Sequence, residues 1–245
     1  MRRILVLCTF LLFYQIPKIY AEQYSSPARN FDKGRMIFHM IEESPSGVAI
    51  SFSIPDFRIA ELSFDGEVMH KIFLDGCLSP NQAGAPNLPG HGRYILVPNG
   101  ATAKVEIISS EIETIRDLNM APAPVITPES DIDKICYEKN ADIYRRDVFY
   151  PANPVGISDP ITIRGIDMII LEVTPFQYNP VTKILRFYRH LNLKVTYQGG
   201  NGQFGDERLR SRWWDSIFQK LLLNYSSLPE IYSGLSGVMM TYSKS

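Results

Sequence analysis

Most of this 245-residue chain alternates between apolar and polar residues, and that period of two constrains its fold more than any other feature. The clearest run lies between residues 185 and 197, where Arg189 alone interrupts an apolar face. That face consists of Leu185, Phe187, Leu191, Leu193, Val195 and Tyr197. Because successive side chains of a strand point to opposite sides of a sheet, the run predicts a strand that is buried on one side and solvated on the other.

Shorter segments repeat this pattern. Asp65-Gly66 is a strong signal for a tight turn and predicts a hairpin between its two flanking runs. Residues 168–173 are apolar at nearly every position, as expected for a strand that is covered on both faces. The strands predicted before residue 185 are 48–54, 59–64, 68–74, 94–97, 101–108 and 168–173.

A proline-rich stretch separates these strands. Residues 121–156, which we call the excursion, contain Pro122, Pro124, Pro128, Pro151 and Pro154. Each proline removes a hydrogen-bond donor from a sheet, so a continuous central strand is excluded here. We therefore expect a long surface connection, and connections of this length in a compact domain are commonly functional or disordered.

The period changes near the C-terminus. Within residues 206–223, an apolar residue recurs at every fourth position, with Asp206 as a candidate N-cap. The predicted stripe is Leu209, Trp213, Ile217 and Leu221, widened by Trp214 and Phe218. Together the patterns predict a mainly β fold, an antiparallel, jelly-roll-like β-sandwich with one C-terminal amphipathic helix.

The N-terminus has the order of a targeting segment. Arg2 and Arg3 precede an apolar run over residues 4–13, and Ala21 ends the polar stretch that follows. This order predicts a secretory signal peptide, residues 1–21, cleaved after Ala21. The apolar run is shorter than the about 20 residues that a transmembrane helix needs. We therefore expect a secreted, periplasmic or cell-surface protein with no membrane span in the mature chain.

Charge and cysteine content narrow the possible binding partners and the possible covalent cross-links. The formal net charge is −1, and no run of Lys and Arg is long enough to bind a phosphate backbone, so nucleic acid is not an expected partner. The expected mature chain keeps Cys77 and Cys136. In an oxidising compartment these two could form a disulfide, but two buried thiols are an equally good interpretation.

One glycine pattern suggests a cofactor. Residues 200–205 read Gly-Asn-Gly-Gln-Phe-Gly and match the fingerprint of dinucleotide-binding folds. That site also requires a second strand after the helix, with an acidic residue that follows it, and the chain has no such strand. A flexible turn from strand to helix is the better interpretation, and no cofactor is expected.

Catalytic and metal-binding patterns are equally weak. His91 could serve Cys77 as a base in a cysteine hydrolase, but no third, activating group is evident. No histidine pair and no Cys-x-x-Cys has the spacing of metal ligands. Four aspartates of the excursion lack the spacing of a calcium loop and favour a solvated acidic surface: Asp131, Asp133, Asp142 and Asp147. We expect no catalytic and no metal-ligating residue.

Several motifs, taken in order, resemble the propeptide domain of gingipain-type cysteine peptidases. They are GAPNLP at 84–89, ILVPNGA at 95–101, APAP at 121–124, Tyr150-Pro151, Arg164-Gly165 and VTPFQYNP at 173–180. The resemblance implies a β-sandwich that precedes the peptidase, assists its folding and occludes its cleft until proteolytic removal. In arginine-specific members it implies that an arginine of the prodomain enters the specificity pocket.

The resemblance also implies a domain division. Residues 22–225 would form the propeptide-like domain, and residues 226–245 would be the truncated start of a missing peptidase domain. The chain would then be no enzyme, but a fragment of a precursor or a free-standing relative that acts in trans on a gingipain-like peptidase. Local chemistry makes Arg145 and Arg146 the candidates for cleft occlusion, because a guanidinium matches an acidic pocket.

A different class remains open. An exported β-sandwich can also be an adhesion or carbohydrate-binding module, so the fold alone does not separate the two functions. Aromatic residues of the excursion could stack on sugar rings: Tyr137, Tyr144, Phe149 and Tyr150. A gene fragment with no independent function is a third interpretation.

Overall fold

The computed structural model describes residues 21–24, 37–54, 56–64, 66–75, 77, 82–125, 137–206 and 212–230. The strands are β1 (Ala21–Tyr24), β2 (Ile37–Ser44), β3 (Gly47–Ser53), β4 (Phe57–Phe64), β5 (Glu67–Phe73), β6 (His91–Leu96), β7 (Ala101–Ile115), β8 (Val155–Ile157), β9 (Ile161–Ile163), β10 (Ile166–Val173), β11 (Phe176–Asn179) and β12 (Ile184–Gly199). The helices are α1 (Ala141–Tyr144) and α2 (Arg212–Leu221), and a 3-10 turn follows at Tyr225–Ser227.

The strands form three sheets. One has the order β1-β4-β5, a second has β6-β10-β8 with β9 also on β10, and the largest has β11-β12-β3-β2 with β7 also on β12. Each pairing between named strands of the described residues is antiparallel. The predicted mainly β architecture with antiparallel sheets and one main helix is therefore confirmed.

A shared core joins the sheets. Buried apolar side chains from β3, β4, β6, β10 and β12 belong to one cluster, with Phe52 and Phe187 among those that are fully buried. A second, smaller cluster lies on the opposite side of β10, where Met168 packs with Phe218 of α2. β10 is thus covered by the core on one side and by α2 on the other, as its apolar sequence predicts.

The predicted β4–β5 hairpin and the predicted alternation of β3 are confirmed. β4 and β5 pair in a register that matches Phe64 with Glu67, which leaves a two-residue connection. Its Gly66 has a φ of 79°, a left-handed conformation that glycine adopts without steric cost. In β3, Ile50 and Phe52 are fully buried, while the alternate residues are half-buried.

β7 and β12 are longer and less regular than the alternation predicts. β7 continues to Ile115 rather than ending near residue 108. Its pairing with β12 shifts register between Tyr188 and His190, which leaves Arg189 as an extra residue in a β-bulge. Because the bulge breaks the period of two, Tyr188 and Arg189 are both buried. Arg189 therefore enters the protein instead of merely interrupting an apolar face.

The buried face of α2 differs from the predicted stripe. Leu222 and Phe218 are buried, whereas Trp213, Ile217 and Leu221 are exposed. The prediction was wrong by about one residue position around the helix, or roughly 100°, because both stripes are apolar and the sequence does not say which one meets β10. The candidate N-cap Asp206 donates its backbone N–H to Gly165, and residues 207–211 lie outside the described residues.

Several terminal features lie outside the described residues. Residues 1–20 of the predicted signal peptide and residues 231–245 of the predicted tail are among them. Packing continues to Leu228, which belongs to the second core cluster. None of the described helices has the length and hydropathy that a membrane span requires.

Candidate functional site

The start of the excursion is held between two parts of the domain. The Ala121 N–H donates to the carbonyl of His70 on β5 at 2.8 Å, and the His70 N–H donates to the Asn119 carbonyl at 2.6 Å. On the other side, the Asn87 N–H donates to the Ala121 carbonyl at 2.9 Å. Ala121 itself is fully buried. The excursion is therefore not a free surface loop at its start, contrary to the prediction from its prolines.

A polar cluster ties the start of the excursion to its middle. Glu67 at the first position of β5 accepts from Lys139 Nζ at 2.5 Å and from Asn119 Nδ2 at 2.9 Å. Lys139 also donates to Asn119 Oδ1 at 3.2 Å. The hydrogen bond from Lys139 is the main reason why the pKa of Glu67 is lowered, and that from Asn119 adds to it. Two points of the chain that flank residues 126–136 are thus joined through one carboxylate.

The His70 side chain adds to this anchor. Its Nδ1 accepts from the Asn119 backbone N–H at 3.0 Å, so Nδ1 carries no proton in this arrangement. Its Nε2 lies 4.0 Å from Glu61 Oε1. The ring therefore fixes the backbone of Asn119, two residues before the excursion.

The described second half of the excursion begins against the core. Asn140 caps the single turn α1 by accepting from the Asp142 N–H at 2.9 Å, and its own N–H donates to the Gly84 carbonyl at 2.9 Å. Gly84 has a φ of 80°, and a Cβ there would lie 3.0 Å from the Glu138 carbonyl oxygen. The Tyr144 hydroxyl donates to the Met120 carbonyl at 2.9 Å, and burial of this side chain raises its pKa.

Arg145 and Arg146 lie at the end of α1. Both side chains are exposed, and their backbone N–H groups donate to Ala141 and Ile143 at 3.2 Å. Tyr144 fixes the turn immediately before them. The structure therefore presents two adjacent cations to solvent on a backbone that is already hydrogen-bonded.

The excursion returns to the large sheet at Tyr150. Tyr150 and Tyr178 of β11 exchange backbone hydrogen bonds of 2.9 and 2.8 Å. The Tyr150 hydroxyl donates to Gln82 Oε1 at 2.5 Å, and Gln177 Nε2 donates to the Pro151 carbonyl at 2.8 Å. Described residues on both sides of the arginine pair are thus anchored to the domain.

The aromatic side chains proposed for sugar stacking are occupied within the chain. Tyr144 and Tyr150 pack against the core. The Arg186 guanidinium lies 3.9 Å from the Phe149 ring centroid, and Tyr137 meets Phe64 edge to face at 5.2 Å. All four are half-buried rather than exposed, so the interpretation of an aromatic sugar-binding surface was wrong in this respect.

Cys77 does not have the environment of a nucleophile. Its half-buried Sγ donates to the Asp75 carbonyl at 3.7 Å, and burial raises its pKa to about 11. His91 packs against the Phe38 ring at 5.9 Å, and desolvation lowers its pKa. Because the thiolate is the reactive form, a raised pKa opposes cysteine catalysis. Cys136 lies outside the described residues, so its disulfide with Cys77 stays a prediction.

The acidic residues of the excursion are not gathered into a metal site in the part of the chain that is described. Asp147 Oδ1 accepts from Asn179 Nδ2 at 2.8 Å, which joins the excursion to the end of β11. Asp142 supplies its backbone N–H to the cap of α1. Asp131 and Asp133 lie outside the described residues.

The glycine-rich loop after β12 serves the fold. Asn99 Nδ2 donates to the Gly205 carbonyl, Asn99 Oδ1 accepts from the Gly205 N–H, and each distance is 3.0 Å. The Asn99 N–H also donates to Gln203 at 2.8 Å. A cleft of about 750 Å³ opens beside this loop, with Asn99, Gln203 and Asp206 in its wall. The described residues after the loop continue as α2 and a 3-10 turn, so the strand of a dinucleotide site does not follow there.

Sequence reasoning missed the cluster that holds the excursion. Glu67, Asn119 and Lys139 are far apart in sequence and follow no motif. Their meeting depends on the pairing of residue 120 with β5, which only the folded chain reveals. No local signal would have found them.

Comparison with known proteins identifies the fold. The profile of the family described as Propeptide_C25 matches residues 38–225, most of the chain. The chain belongs to the Propeptide_C25 family. The resemblance inferred from the sequence motifs is therefore confirmed.

Relatives of this Propeptide_C25 chain include gingipains of Porphyromonas gingivalis. Gingipain R2 is 29% identical over 187 residues, which cover 72% of this chain and 25% of that protein. Lys-gingipain is 26% identical over 175 residues, which cover 69% of this chain and 10% of that protein. The chain thus spans about a quarter or less of these relatives. The matched part is their N-terminal prodomain and not the catalytic domain, so this domain is not an enzyme.

Two solved structures share the fold. The complex of Porphyromonas gingivalis RgpB pro- and mature domains gives a TM-score of 0.68 at 25% identity, and the match covers 78% of this chain and 97% of that chain. A structure on the zymogenic latency of gingipain K from the same organism gives 0.58 at 21% identity, covering 73% and 98%. The first contains a prodomain together with its mature domain.

Proposed function

We propose that this chain is the propeptide region of a secreted gingipain-like cysteine endopeptidase precursor. It binds the peptidase domain, assists its folding and occludes its substrate cleft. The observation that carries this proposal is the TM-score of 0.68 to the structure that holds an RgpB prodomain with its mature domain. Exported by the signal peptide at residues 1–21, residues 22–225 act as one inhibitory unit, either ahead of a peptidase in the same precursor or in trans.

Occlusion uses the Arg145–Arg146 turn of the excursion. Both arginines are exposed, and a guanidinium fork can bind an acidic specificity pocket through paired, charge-assisted hydrogen bonds. The anchors at Tyr144 and Tyr150 support this role, because a segment that is already ordered loses little conformational entropy on binding. The same rigidity would disfavour the distortion that productive cleavage of the segment requires.

Inhibition of a gingipain-type peptidase by purified residues 22–245, titrated to stoichiometry, tests the proposal. We expect tight one-to-one inhibition. A protein that is folded by circular dichroism and yet neither binds nor inhibits arginine- or lysine-specific gingipains would contradict it.

The role of the arginine turn needs a separate variant. Replacing Arg145 and Arg146 with Ala should weaken inhibition by about thirtyfold or more if one guanidinium fills the pocket, since truncation of such an anchor costs about 2 kcal/mol or more. Arg116→Ala, which removes an exposed arginine outside the excursion, is the matched control and should leave inhibition unchanged. Equal inhibition by the wild type, the double variant and Arg116→Ala would show that the Arg145–Arg146 turn has no role in inhibition.

The signal peptide can be tested without a partner. N-terminal sequencing of the exported protein should begin at Glu22, directly after Ala21. Retention of the first 21 residues in exported material would contradict the predicted cleavage.

A further inference from the structure

Helix α2 carries an apolar stripe that the described part of the domain leaves exposed. Trp213 is 86% exposed, Ile217 is 43% exposed and Leu221 is 37% exposed. Residues four positions apart lie on the same side of a helix, so these three form one continuous row, which we call the α2 stripe. The face of α2 that meets the domain carries Phe218 instead, with Leu222 directly after the helix.

The α2 stripe is unusual because a tryptophan lies almost wholly in water. Tryptophan carries the largest apolar surface of any side chain and is the residue type most enriched among binding hot spots. Exposed residues at the margin of the stripe, Ser216, Gln219 and Lys220, are polar. An apolar centre with a polar rim is the anatomy of a protein-protein interface.

The helix is rigidly held, so the α2 stripe is presented in one orientation. Fully buried Asn224, just after α2, accepts from the Leu96 N–H at 2.8 Å and donates to the Leu96 carbonyl at 3.0 Å. The Tyr225 hydroxyl donates to Asp215 Oδ2 at 2.7 Å. The Arg164 guanidinium lies 4.9 Å from the ring centroid of Trp214, next to the stripe. A preorganised surface of this kind loses little entropy when a partner binds.

We propose that the α2 stripe docks on an apolar patch of the gingipain-like peptidase domain, at a place distinct from the arginine turn. This inference rests on the proposed function. In the gingipains the matched domain is the N-terminal prodomain, and in this chain the family match ends at residue 225, shortly after α2, so the rest of such a precursor continues from the neighbourhood of this helix. The peptidase is therefore tethered close to this stripe in such a precursor, and tethering raises the effective concentration of the contact.

Binding of residues 22–245 to a gingipain-type peptidase domain with its catalytic cysteine replaced by Ala tests the docking. Trp213→Ala should raise the Kd by about tenfold or more, the loss expected for a central aromatic anchor. Ile217→Ser should act in the same direction. Ile41→Ser removes an apolar side chain of β2 that is 61% exposed, and this control should change the Kd by less than about twofold because scattered surface residues contribute little.

The outcomes separate the two proposals. If the wild-type protein does not bind, the proposed function itself fails. If the wild type binds and Trp213→Ala binds equally well, with the same unfolding temperature for both proteins, only the docking of the α2 stripe is overturned.

Light scattering that shows a wild-type dimer lost in Trp213→Ala, with unchanged peptidase binding, would assign the stripe to a second copy and overturn the proposal. Tight binding by Trp213→Ala only after removal of residues 231–245 would assign the stripe to that segment and overturn it as well.

Discussion

Arg189 Nε donates to Glu113 Oε1 at 2.8 Å, and this bond holds a guanidinium that is only 5% exposed. The guanidinium lies 4.8 Å from the ring centroid of Phe187 and 5.9 Å from that of Phe57. Its Nη1 is buried without a hydrogen-bond partner among the described residues. The pair closes the edge of the core where the bulge in β12 turns a charged residue inward.

Removal of Glu113 should therefore be costly. Glu113→Ala leaves the buried guanidinium without its counter-charge, and we expect a loss of about 2–3 kcal/mol in the free energy of unfolding in urea. Arg189→Met removes the charge as well and should cost less. Glu111→Ala is the matched control, because its carboxylate lies 3.7 Å from His190 and is 65% exposed. A similar loss for Glu111→Ala and Glu113→Ala would contradict the argument.

Asn224 should be a larger determinant of stability than its position after a helix suggests. Its amide bonds both backbone groups of Leu96, and its Nδ2 also donates to the Tyr197 hydroxyl at 3.1 Å. Asn224→Ala leaves these buried groups unpaired, so we expect a loss of about 3 kcal/mol in equilibrium unfolding. Asn192→Ala removes an exposed amide that bonds Ser109 and should cost less than about 0.5 kcal/mol. Comparable losses would show that the anchor is dispensable.

Protonation of Glu67 should make the domain less stable in acid. Its pKa is lowered, so its carboxylate contributes stability above the ordinary value of 4.5, and this contribution is lost as pH falls through the lowered pKa. The side chain is 53% exposed, so solvent screening keeps the effect small. We expect Glu67→Gln to be less stable than wild type at pH 7, with the difference shrinking as the pH falls below 4.5. Glu138→Gln, on the same segment, controls for the loss of one surface carboxylate.

Cys77 should react slowly when the domain is folded. Burial raises its pKa to about 11 from an ordinary 9.0, so the thiolate fraction at pH 8 falls by about a hundredfold. A Cys136→Ser variant of residues 22–245 isolates this thiol. Its reaction with a disulfide reagent should accelerate by about that factor in urea. Equal rates in buffer and urea would contradict the raised pKa.

The predicted disulfide has to be tested in the protein that keeps both Cys77 and Cys136. If Cys77 and Cys136 are joined in the exported protein, neither should react in urea until a reductant is added. Reaction of both thiols without reductant would establish the alternative, two free cysteines.

Local patterns were sufficient for much of the strand set. The alternation at residues 48–54 and the Asp65-Gly66 turn predicted β3 and the β4–β5 hairpin, because both depend on neighbours in sequence. The unbroken apolar run at residues 168–173 predicted a strand with two buried faces, and α2 supplies the second cover. The cleft-occluding role of Arg145 and Arg146 stays a prediction.

What the sequence determined by itself was the fold class and the family, because period-two alternation, turn residues and ordered motifs are written in contiguous residues. Tertiary structure decided which apolar stripe of α2 is buried, that Arg189 turns inward at a bulge, and that Glu67 joins Asn119 to Lys139. Each of these depends on contacts between residues that are distant in the chain. The pattern of apolar and polar residues cannot encode such contacts. A helix with two apolar stripes has the same sequence whichever stripe is buried. A strand has the same sequence whether or not one of its residues forms a bulge.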